Sequence, residues 1–380
     1  MLTMNDLESQ KDMPPSEAHN GDVVRKIVLP GQSPEGEHIL SVLVKRTYDI
    51  VPDGTCTRAE SDRKLIPGDM HYGDPMNSCV QYEADFIPYK LATDIVLNGK
   101  AYAPAGSSVR QLTATIAVGQ FRKDILVTGD RVCSFQGKGK AVFSEPKPFE
   151  TMDIRYENAY GGIDIHSDPR LPCVYPRNHL GCGFVAGNGK NKMENLSLPN
   201  IEDPGDPLSP ERIFTGRIKQ WETQPMPQGL GWFAKSWQPR AGLAGVMPAD
   251  KAFEQELRQA YKAAIPAAQQ KVYEETKLPD MDFRFFNGAS QGLAVPFLNG
   301  NESCHLAHLT PECQLNFRLP GDIPGIGIDI GNGIQRPDVV LHTVMIHAQE
   351  RQLDLVWRGA VSYPGPDWLP EMRKMEVDIQ

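Results

Sequence analysis

No apolar run in this 380-residue chain approaches the roughly 18 residues that a membrane-crossing helix needs. Met1 to Gly21 lacks the basic stretch and apolar segment of an export signal, so a cytoplasmic protein without a membrane partner is expected. Positive charge is also short, with 39 Lys and Arg against 48 Asp and Glu, a net −9. That balance argues against nucleic acid, because neutralising phosphates takes a basic face. There is no C-x-x-C pair, and seven cysteines, an odd number spread over a long chain, do not make a secreted disulfide framework. Reduced thiols are expected. No repeat of fixed period occurs.

Turn-forming residues are plentiful. The chain has 34 glycines and 32 prolines, both above average shares of about 7% and 5%, which favours short strands and turns over long helices. They concentrate between Tyr156 and Arg240, in clusters with no helical or strand period: Tyr156-Glu-Asn-Ala-Tyr-Gly-Gly162, Tyr175-Pro-Arg-Asn178, Gly181-Cys-Gly-Phe184, Leu198-Pro-Asn-Ile-Glu202 and Trp237-Gln-Pro-Arg240. The stretch holds Trp221, Trp232 and Trp237, and disordered segments are poor in such groups, so ordered irregular structure is expected.

Around it the pattern is that of strands. His38–Ile50 is rich in β-branched and aromatic residues and stops at Pro52-Asp-Gly54. Further strands are predicted at 79–86, 93–102, 108–118, 124–133, 303–309, 313–319, 338–347 and 352–358, with the last two forming a hairpin through 348–351. Phe253, Leu257, Tyr261 and Ile265 recur every fourth residue before Pro266, which predicts an amphipathic helix. The expected fold is mainly β, with antiparallel sandwich or partial-barrel sheets, an ordered irregular central region and one helical insertion. Its parts are a disordered tail 1–22, an N-terminal β region 23–155, the central region 156–249, a helical insertion 250–278 and a C-terminal β region 279–380, with 23–380 as one continuous domain the alternative division.

Chemical motifs are weak. Gly288-Ala-Ser-Gln-Gly292 matches the G-x-S-x-G nucleophile elbow, but Pro296 leaves no room for the helix that must follow, so a glycine-rich loop is the preferred reading of Ser290. Cys304, His305, His308 and Cys313 lie within ten residues, yet His305 and His308 would face opposite sides of a strand, and buried thiols and strand histidines explain them better than zinc. Gly325-Ile-Gly-Ile-Asp-Ile-Gly331 and Gly187-Asn-Gly-Lys190 miss the spacings of nucleotide loops. Glu157, Asp164 and Glu202 could form an acid and base pair, though loop-fixing carboxylates are commoner. Arg177 and Arg240 each follow a proline, where a guanidinium can stitch several loop carbonyls. Trp232, in Gly229-Leu-Gly-Trp-Phe233, is either a core ring or one displayed between glycines for a partner, with Phe233 and Trp237 as companions.

These clusters, taken in order with Glu83-Ala-Asp85, Lys90, Thr93-Asp-Ile-Val96, Lys123, Gly129-Asp-Arg131, Asp282-Phe-Arg-Phe-Phe-Asn287, Phe317-Arg-Leu-Pro320 and Leu355-Val-Trp-Arg358, resemble a bacterial family known as a domain of unknown function. Its members resemble effector adaptors or chaperones of type VI secretion systems. The resemblance runs from about Glu83 to Arg358. It implies a cytoplasmic binding protein, without cofactor, metal or catalytic residues, that holds a secreted effector and helps load it onto the valine-glycine-repeat spike or its PAAR tip. Tyr156, Gly161, Gly162, Arg177, Asn178 and Arg240 would be its structural motif, and Trp232, Phe233 and Trp237 its partner-binding candidates. The rival is a hydrolase using Ser290 or a carboxylate pair.

Overall fold

The computed structural model describes residues 26–380 apart from 137–139, 166, 169, 188–194, 215–217, 248–278, 366–367 and 369–374. The tail 1–22 and the helical insertion 250–278 lie outside the described residues, and among those described the only helical elements are short 3-10 turns.

Two sheets dominate. The larger is built on His38–Ile50, whose β-branched run forms one long strand as its composition predicts. On one side it pairs with Lys26–Gln32, and on the other it pairs antiparallel along eleven residues of Gln352–Ser362. Val339–His347 follows, then Thr93–Asn98 and the short Ala294–Val295. The second sheet orders Ile201–Glu202, Phe121–Thr128, Gln111–Val118, Ser303–Ala307 and Gln314–Arg318, all antiparallel. Their inner faces share one core, in which Ile95 and Leu97 meet Ile116, Ile125, Leu306, Phe317, Leu355 and Trp357. The arrangement is two packed sheets, without a closed barrel.

The structure departs from the expected pattern in three places. Thr93–Asn98 runs parallel to Val339–His347, so the large sheet is mixed. A parallel neighbour needs a crossover, and the chain between Asn98 and Val339 supplies it while building the second sheet and the central region. The run predicted at 124–133 divides at Gly129-Asp130 into Phe121–Thr128 and Val132–Gln136, which sit in different sheets. Leu341–His347 is buried on both faces rather than alternating, because this strand is central and covered on each side.

The N-terminal and C-terminal β regions interleave in both sheets, so neither holds a core of its own. The central region is irregular but ordered, with two-residue ladders such as Tyr160–Gly161 beside Cys182–Gly183. It owns a satellite core of Tyr160, Tyr175, Phe184, Leu198 and Ile213.

Candidate functional site

The charged residues of the sequence clusters meet one another inside the protein. Asp94, on the Thr93–Asn98 strand, takes Lys90 Nζ at 2.6 Å and accepts from Asn287 Nδ2 and the Gly288 and Ala289 amides at 3.2 Å. Glu83 receives both terminal nitrogens of Arg240, at 2.8 and 2.5 Å. Lys45 pairs with Asp85, and Arg131 with Glu202. Charges buried in this way persist only when they are paired and their remaining hydrogen-bonding positions are filled. Arg240 meets that condition, since its Nε donates to Phe285 O and its Nη1 also to Phe233 O. Gly288 lies against this pair. A β-carbon there would sit 2.1 Å from Glu83 Oε2 and 2.6 Å from Arg240 Nη1, so only glycine lets the backbone pass.

Arg177 behaves differently. It donates to a single carbonyl, Gln224 O at 3.1 Å, and its guanidinium lies 5.1 Å from the Trp221 ring centroid. Its Nε is buried without a hydrogen-bond partner among the described residues. Asn178 clamps the Tyr156–Gly162 loop by donating to Tyr156 O and Tyr160 O and accepting from Leu180 N. Gly161, at φ +153°, is required because a β-carbon would come within 2.1 Å of Asn178 O. Gly162 donates its amide to that same oxygen.

The three aromatics expected as partner contacts are placed in the core. Trp232, 4% exposed, packs with Val80, Val96 and Met345, with Lys90 Nζ over its ring. Phe233 and Trp237 form an edge-to-face trio with Tyr156, with centroids 5.1 to 5.8 Å apart. The glycine before this stretch serves the interior too, since a β-carbon at Gly229 would press on the Tyr156 ring at 3.0 Å. The display of these rings to a partner is therefore corrected. The segment runs along the Thr93–Asn98 strand, with Leu97 N bonded to Leu230 O, and its aromatic faces turn inward.

Ser290 is wholly buried and begins a turn closed by Leu293 N, with Gly292 at φ +85°. A short strand, Ala294–Val295, follows instead of a helix, so the G-x-S-x-G match is a glycine turn. Its hydroxyl accepts from Lys123 Nζ at 2.7 Å, and the same amine donates to Gln291 O at 2.8 Å. Burial pulls the Lys123 pKa down to about 7, with Asp203 a weak opposing influence. Sequence reading gave Lys123 no role, because nothing local marks a strand lysine as buried.

The remaining candidates hold loops. Glu157 accepts from Cys79 N, Asp164 from Ser167 N and Ala186 N, and Glu202 from Leu208 N. His305 faces Asn316, while His308 and Cys313 turn to Tyr102 O and Ala103 O. Among the described residues no group of three or more His, Cys, Asp or Glu is placed to hold a metal.

Two surface features stand over this interior. A cleft of about 550 Å³ opens beside the Arg240–Leu243 and Phe283–Phe286 turns, with buried Phe233 and Arg240 at depth and exposed Arg284, Gln291 and Ala294 at the mouth. The ribbon Ile163–Asp164 with Cys173–Val174 exposes Ile163, Ile165, Leu171 and Val174, at 47%, 52%, 68% and 47%. Sequence reading missed both. The signal that could have found the ribbon is the closeness of Ile163, Ile165, Leu171 and Val174 in a stretch otherwise rich in polar and turn residues.

Sheet pairing, buried motif pairs and a cleft define a sheet-rich protein whose cluster residues serve chiefly to fix its interior. Among the described residues no helix is long and apolar enough to cross a membrane. Residues 35–358 match the family described as an uncharacterized protein conserved in bacteria (DUF2169), and the chain belongs to that family. No curated protein and no solved structure matches it.

Proposed function

We propose that this protein is a cytoplasmic adaptor or chaperone that binds a type VI secretion effector and assists its loading onto the spike or its PAAR tip. One observation carries the binding part of this reading. Four large apolar side chains stand exposed within twelve residues on one ribbon, and rimmed apolar patches mark protein contacts. The effector and spike come from the resemblance of the ordered sequence clusters. Ile163 and Leu171 can be changed without touching the core, since both are exposed. The test is co-purification of the tagged chain with the products of neighbouring genes, repeated with Ile163→Asp/Leu171→Asp. Capture of an effector or spike component, lost in the double variant at unchanged melting temperature, is the expected result. Failure to capture either component sinks the reading.

A hydrolase has one observation in its favour, the Lys123–Ser290 contact. Ser290 has no exposed surface and no helix behind it, so we expect no fluorophosphonate labelling of the native protein. Labelling abolished by Ser290→Ala would reverse the order of the two readings.

A further inference from the structure

The cleft beside the Arg240–Leu243 turn has a charge character opposite to that of the chain. The protein carries a net −9, yet three arginines and no carboxylate line this cleft among the described residues. Two of the three are already neutralised: Arg240 by Glu83, and Arg284 by Asp282 at 2.5 and 3.0 Å. Arg177 has no carboxylate partner among the described residues. Its Nη1 is taken by Gln224 O, and its Nε lacks a partner. A guanidinium with a donor left unfilled receives a carboxylate through charge-assisted hydrogen bonds, two of them parallel where the fork is reached side-on. Around it the lining is apolar, with Met226, Phe233 and Leu243, while Gln291 at the mouth can bond a peptide backbone. A cavity of about 550 Å³ is within the range that holds two or three side chains' worth of ligand.

We propose that this cleft binds a polypeptide segment bearing a carboxylate next to a large apolar side chain, as at a protein's C-terminus, with the carboxylate on Arg177 and the apolar group against Met226, Phe233 and Leu243. The site is separate from the exposed ribbon, and it rests on the adaptor reading only for who supplies the segment.

The test uses three probes on the full chain, followed by calorimetry: the peptide acetyl-Gly-Leu-Phe with a free carboxylate, its C-terminal amide, and octanoate. The acid is expected to bind at least tenfold more tightly than the amide, and Arg177→Gln to remove that preference. Ala294→Glu, at an exposed mouth position, is expected to abolish binding with unchanged melting, which decides the matter if Arg177→Gln misfolds. Equal binding of acid and amide, no binding of the acid at millimolar concentration, or a preference that survives Arg177→Gln would overturn the proposal. So would octanoate binding tenfold more tightly than the peptide, which would make the site one for free amphipathic carboxylates. Peptide binding alongside failed co-purification would reject the adaptor and leave this site; the reverse result would reject the site alone.

Discussion

Lys123 and Arg240 are both buried cations, but they differ in what faces them. Arg240 has a carboxylate and two carbonyls, so Arg240→Ala would leave Glu83 in the interior with only the longer Lys235 pair at 3.5 Å, and breaking a buried pair costs up to about 3 to 5 kcal/mol. A clear fall in melting temperature is expected, and an unchanged one would mean the pair contributes little. Lys123 has only neutral acceptors close by, and its folded pKa of about 7 lies well below the unfolded value near 10.4. In that interval the unfolded state binds more protons. Stability should therefore be greatest above the unfolded pKa and be lost as pH falls towards 7. Relative to Lys123→Met, the wild type should gain on the order of 3 kcal/mol between pH 7 and pH 9.5, measured by urea unfolding. Parallel curves for the two proteins would show that the amine is not desolvated as described.

At the scale of elements, the strands were legible where composition and period agreed, as in His38–Ile50, and where turn residues framed them, as in the 339–347 and 352–362 hairpin. The parallel pairing of 93–98 was not, since no local pattern distinguishes a parallel neighbour from an antiparallel one when both faces are buried. The loop 287–293 shows the same limit for sites. Its glycines read as a possible elbow, whereas Gly288 is glycine because it lies against Glu83 and Arg240, residues far away in sequence. Gly288→Ala should accordingly unfold near the temperature of Arg240→Ala, and the two changes should be less than additive when combined, because they disturb one contact. Full additivity in thermal melts would separate them.

Over the whole molecule, the sequence clusters organise the interior, and the rings named as partner candidates lie there with them. Tyr156, Asn178, Phe233, Trp237 and Arg240 are all buried; the exposed ribbon comes from residues that sequence alone did not single out, and the cleft joins Arg177, Phe233 and Arg240 to residues such as Met226, Leu243 and Arg284 that it did not. Burial cannot be read from a cluster without period, which is why Phe233 and Trp237 stood as partner candidates beside Trp232. The interleaved topology has its own consequence for assembly. His38–Ile50 finds its main partner, Gln352–Ser362, about 300 residues later. Removing residues 352–380 should leave the long strand without that neighbour, and the shortened chain is expected in the insoluble fraction on expression; recovery of a soluble, cooperatively melting product would refute the dependence.

During synthesis the same pairing imposes a wait. At ribosomal rates of roughly 5 to 20 residues per second, the first long strand emerges on the order of 15 to 60 s before its partner exists. For that interval a strand with buried-type side chains on both faces is an open edge on a nascent chain, able to recruit any other strand nearby. Production of this protein therefore depends on keeping neighbouring nascent chains apart: denser polysomes or faster initiation should divert it into aggregates well before its equilibrium stability matters.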